Sequence, residues 1–103
     1  MADFRKIFAV KKPIIGMIHL PALPGTAAGR QARFSELVSY ALTELDALQR
    51  GGVNGVIVEN LWDLPYFPAE TPAVTIASLA AVAGAIIQRA VVRAKRTARH
   101  VWR

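Results

Sequence analysis

Cysteine is absent from the 103 residues. That excludes a disulfide scaffold, a thiolate metal site and a thiol nucleophile. Histidine is scarce: His19 and His100 stand 81 positions apart, so no local His-x-x-His metal pattern exists. Neither a Gly-x-Gly-x-x-Gly fingerprint nor a Walker sequence occurs, which leaves only Gly25 and Gly29 to argue for a phosphate cradle. Charged residues are few, at 19%, against 53% apolar. A disordered chain has the opposite balance. A long uninterrupted apolar run is missing too: the nearest approach, Ala73–Ile87, is broken by Thr75 and Ser78. A spanning helix needs about 20 apolar residues, so this stretch is expected to be a buried helix. No signal peptide is expected, because Ala2–Val10 carries Asp3, Arg5 and Lys6 and no long apolar run follows. Length and these absences point to one small domain in the cytoplasm, with peripheral membrane association kept open.

Acid is the last deficit, and it is local. The formal net charge is +6, and residues 1–88 balance seven basic against seven acidic side chains. Residues 89–103 hold Arg89, Arg93, Lys95, Arg96, Arg99 and Arg103 and no acid. A neutral body therefore carries a basic tail. That tail suits phosphates or a membrane surface, or is simply a solvated end.

The residues present alternate between strand and helix signals. Pro13–Leu20 and Val53–Asn60 are short apolar runs without period-2 alternation, as expected for strands buried on both faces. Between them, Leu37, Val38, Ala41, Leu42, Leu45 and Leu48 recur at helical spacing. Ser35 is the expected N-cap and Gly51-Gly52 the expected stop. Thr71-Pro72 can open a second helix, continued by Ile76, Leu79, Ala80, Ala83, Ile86 and Ile87. Val91, Ala94, Ala98 and Val101 extend a weak apolar stripe to the end. Strand, helix, strand, helix predicts a parallel sheet with a right-handed crossover. Both strand-to-helix loops are long, and ligands in parallel α/β folds bind at that end of the strands.

His19 closes the first run, Glu59 and Asn60 close the second, and Trp62 and Asp63 follow. Neighbouring strands lie about 5 Å apart, so these groups can meet. An imidazole, two carboxylates and an amide suit general acid–base work, or a divalent metal with mostly oxygen ligands. Each also has a structural alternative. A strand-end histidine can be simply a hydrogen-bonded structural residue, and Asp63 can be a turn residue bonding its own backbone. Trp62, Tyr66 and Phe67 can wall a ligand or cover the core.

Lys12–Gly25 (KPIIGMIHLPALPG) resembles the opening motif of the BtpA/SgcQ family, and Gly51–Asn60 with Asp63 and Pro65 resembles its second motif. The resemblance spans about residues 10–90. It implies a TIM-type (β/α)₈ barrel, of which residues 1–91 supply the first two βα units out of eight. It implies catalytic roles for His19, Glu59 and Asp63, and ligand contacts from Asn60 and Trp62. The expected ligand of an intact relative is a small metabolite, phosphorylated or not. No resident metal is assigned and no cofactor is identified. The founding member, from a cyanobacterium, is tied to photosystem I biogenesis; other members occur beside sugar-metabolism proteins. Whether such relatives are enzymes stays open, and an isolated fragment is expected to be inactive. After residue 91 the family pattern calls for a strand of the form Gly-x-Asn-Val-Leu-Arg, and Val92–Arg103 departs from it. Codons exist for Val92–Arg99 that read Gly-Gln-Asn-Val-Leu-Arg when shifted by one nucleotide. Residues 92–103 are accordingly read as a basic tail from a shifted frame. The competing reading is a small basic protein whose C-terminal helix binds an acidic partner, a membrane surface or nucleic acid. The first reading expects self-association and no specific nucleic acid.

Overall fold

The computed structural model describes the backbone of residues 4–60, 62–63 and 70–101, and the side chains of 6–60, 62–63 and 70–90. The order is α1 (Phe4–Ile7), β1 (Ile15–His19), α2 (Phe34–Arg50), β2 (Gly55–Glu59) and α3 (Ala73–Val101). β1 and β2 pair in parallel, Ile15 opposite Gly55 through His19 opposite Glu59. The chain is thus α/β, compatible with the start of a βα fold. The strands are shorter than the expected 13–20 and 53–60. Each flank instead joins the ladder through bonds just beyond the strands: Asn54 N–H donates to Ile14 O at 2.8 Å, and Leu20 N–H to Glu59 O at 2.9 Å.

The helix between the strands forms because Leu37, Ala41 and Leu45 recur every four residues, and all three are buried. Its start corrects the expectation of a Ser35 cap. Arg33 is the N-cap, in extended conformation and without a side-chain cap bond, so Ser35 lies inside the first turn. The stop is as expected. Gly52 has φ +90°, where a side chain would strain the backbone. Its N–H donates to Gln49 O at 3.1 Å, and Val53 N–H donates to Leu48 O at 3.3 Å. That pair of bonds is a Schellman closure, which satisfies carbonyls left over at the helix end.

One continuous core joins Ile18, Leu20 and Leu23 to Leu37, Ala41 and Leu45 of α2 and Val82 and Ile86 of α3. Two expectations fail here. The sheet is not buried on both faces: Gly16 and Ile18 face the helices, while Met17 and Ile57 on the other side are exposed. Two helices cover only one face of a two-stranded sheet. Nor is Ala73–Ile87 the buried helix expected: only one stripe of α3 is covered. Thr75, Ser78, Val82 and Ile86 are buried, whereas Ile76, Ala80 and Ile87 are exposed. The alanine-rich helix has apolar residues on two faces, and packing against α2 selects one. α3 passes position 92 without a break. The radius of gyration is 15.7 Å, against about 13 Å for a compact chain of this length, because α3 outreaches the body.

Candidate functional site

Parallel pairing with an offset of forty residues brings the C-terminal ends of both strands together. His19 and Glu59 are register partners. His19 Nε2 lies 3.5 Å from Glu59 Oε2, with the two side chains 42% and 45% exposed. Both stand on the face of the sheet away from the helices, because β1 alternates and Ile18 points into the core. An imidazole beside a carboxylate on an open surface can accept, hold and return a proton. The pair adds little to stability, since half-exposed ion pairs contribute about 0–1 kcal/mol.

Asp63 is placed differently. It is 2% exposed, and both carboxylate oxygens have partners. Oδ1 accepts the Leu23 backbone N–H at 2.6 Å, and Oδ2 accepts Asn60 Nδ2–H at 2.9 Å. Asp63 N–H donates to Asn60 O at 3.3 Å, closing the turn between them. Asp63 therefore ties the loop after β2 to the loop after β1. Asn60, half-buried, is held by the same network. Trp62 is 55% exposed and stands between them in sequence. Tyr66 and Phe67 lie outside the described residues.

The loop after β1 is a chain of local bonds. Thr26 N–H donates to Leu23 O at 3.3 Å, across Pro24 and a Gly25 with φ +88°, the geometry of a type II turn. Thr26 Oγ1 donates to Leu23 O at 2.8 Å and accepts Gly29 N–H at 3.0 Å. With the Thr26 and Gly29 amides so engaged, the stretch is a folded turn and not a phosphate cradle. Thr75 of α3 completes it, donating to Pro24 O at 2.6 Å. Sequence reasoning missed Thr75 because a threonine inside a helix carries no sign of a partner 51 positions earlier. A groove of about 390 Å³ runs beside this loop, between Pro21, Ala28, Arg33 and Tyr40; neither His19 nor Glu59 lines it. Among the described residues, no three His, Asp or Glu side chains gather as a metal ion would require.

The model of the BtpA family matches residues 10–94. An uncharacterized protein of Methanocaldococcus jannaschii is 42% identical over 76 residues, 74% of this chain and 28% of that protein. The photosystem I biogenesis protein BtpA of Synechocystis is 39% identical over 64 residues, 62% of this chain and 22% of its own. The sgc region protein SgcQ of Escherichia coli is 33% identical over 88 residues, 84% of this chain and 32% of its own. The chain thus spans about a third or less of the relatives it matches. No solved structure matches it.

Proposed function

This chain belongs to the BtpA family, and on that premise we propose that residues 1–91 are the first two βα units of a (β/α)₈ barrel. The complete barrel binds or transforms a small metabolite at the C-terminal ends of its strands. The observation carrying this reading is the His19–Glu59 pair, 3.5 Å apart at matching strand ends. In a barrel, the sheet face away from the helices is the interior, and side chains at its C-terminal rim meet the ligand. His19 is the proton-transfer group. Glu59 orients the imidazole and balances its charge, and Asn60 and Trp62 contact the ligand. Asp63 holds the loops that present these residues. Residues 92–103 are a shifted-frame tail, which the nucleotide sequence of the gene would check.

A full-length relative tests the site, the Methanocaldococcus protein being the choice here. Thermal shift and calorimetry against sugars, sugar phosphates and other small metabolites should yield a ligand. Its binding should weaken at least tenfold when the positions aligned with His19 and Glu59 become Ala and Gln. A ligand indifferent to both changes, or a panel without any ligand, overturns the reading. A part in photosystem I biogenesis is the second proposal, supported by the 39% identity to the Synechocystis protein. It predicts no such ligand.

A further inference from the structure

α3 leaves one apolar seam uncovered. Ile76 and Ile87 are 58% and 62% exposed. Between them Ala80 is exposed and Ala83 half-buried. The four residues recur at intervals of four, three and four, the heptad spacing that keeps one line of a helix turned toward a partner helix. Arg89, which meets Asp46 of α2 at 3.2 Å, stands on the opposite flank by helical geometry. The core stripe of Val82 and Ile86 runs between the two flanks, so the seam faces away from α2. Residues 71–88 hold no charged side chain, so no charge lies on the seam or along its margins.

The seam is also a palindrome: Ile, Ala, Ala, Ile, at intervals that read the same from either end. A two-fold axis between positions 81 and 82 would set Ile76 against Ile87 of a second copy, and Ala80 against its Ala83. Each contact then occurs twice, as an isologous interface requires. The facing alanines let the two helix axes approach to about 8 Å, the close end of the usual range, and the isoleucines close the seam at both ends. We propose that the chain pairs with a second copy of itself through this seam, α3 antiparallel to α3. The second copy is the fitting occupant because the seam is its own complement in size, spacing and lack of charge. Ala73–Ala90 is about 27 Å long and about 10 Å across, a footprint of roughly 270 Å². A standard interface covers about 800 Å² on each partner. The dimer is therefore weak and exchanges with monomer. In a complete barrel the following helix would take the same flank, so this dimer belongs to the 103-residue chain and does not rest on the metabolite site.

Sedimentation equilibrium of the full chain, from about 10 μM to about 1 mM, should show monomer passing into dimer. Ile87→Ser should weaken the dimer at least tenfold, because it removes two isoleucine contacts at once, with circular dichroism unchanged. The chain has no cysteine, so single cysteines report the orientation. Oxidising an equal mixture of Ile76→Cys and Ile87→Cys chains should give a disulfide dimer with one chain of each kind. Either variant alone should not cross-link. Two copies of position 76 would stand eleven residues apart along the seam, about 16 Å, beyond the roughly 7 Å between Cα atoms that a disulfide spans. A chain that stays monomeric throughout overturns the proposal. So does association that Ile87→Ser leaves unchanged, which would place the contact at the sheet edges. Cross-linking of Ile76→Cys with itself as readily as in the mixture overturns it too. The cross-linking pattern decides the matter even if Ile87→Ser misfolds.

Discussion

The carboxylate of Asp63 accepts the backbone N–H of Leu23 at 2.6 Å, forty positions earlier in the chain. The same offset pairs His19 with Glu59. It recurs at the opposite end of the sheet, where Ile14 N–H donates to Asn54 Oδ1 at 2.9 Å. A side chain from the second strand region thus bonds the first strand region just beyond each end of the ladder. Register is fixed at both ends by bonds that a slip of one residue would break.

Asp63→Ala should destabilise the chain by about 1–3 kcal/mol in urea unfolding, because it leaves the buried Leu23 N–H without an acceptor. His19→Ala and Glu59→Ala should change stability by no more than about 0.5 kcal/mol, as exposed positions do. Equal effects at all three positions would remove the distinction drawn between the loop tie and the surface pair.

Gly29→Ala should be far worse than Gly84→Ala. A Cβ on Gly29 would lie 2.0 Å from the Leu23 carbonyl oxygen, whereas one on Gly84 meets nothing within 4 Å. The first substitution should disrupt the loop and the Asp63 contact with it. The second should stabilise α3 by about 0.5–1 kcal/mol through helix propensity. Thermal melts of the two variants compare them directly.

Leu45→Ala should cost about 2–5 kcal/mol, the range for emptying a buried leucine site, since Leu45 is fully enclosed between α2 and its neighbours. Arg89→Gln, which breaks the exposed pair with Asp46 at 3.2 Å, should cost less than about 1 kcal/mol, and less again in high salt. The comparison tests whether packing or charge joins α3 to α2.

Among the described residues both edges of the two-stranded sheet are unpaired, and Met17 and Ile57 are exposed on its open face. Unpaired edges and apolar patches promote association. The thermal transition of the purified chain should therefore be broad or rise with concentration, with oligomers in sedimentation analysis. A sharp, concentration-independent transition from a monomer would show a self-sufficient domain and contradict the partial-barrel proposal.

The sequence by itself determined the order of elements from β1 to α3, though not the short α1, and with it the parallel pairing and the stop at Gly51-Gly52. These follow from local chemistry: apolar runs, helical spacing, and a glycine that tolerates positive φ. It also brought His19 and Glu59 to one end, because strand ends in a parallel pair coincide when the connection is a single helix. The tertiary structure alone decided which face of α3 is buried, since Ile76 and Val82 are equally apolar and only contact with α2 distinguishes them. It likewise decided that the sheet has one covered face, because burial depends on how many layers are present and not on how apolar a strand is. And it separated Asp63 from the other acid at the strand ends. Spacing placed Asp63 near Glu59, but only the approach of the Leu23 amide turns one carboxylate into a buried tie and leaves the other open to solvent.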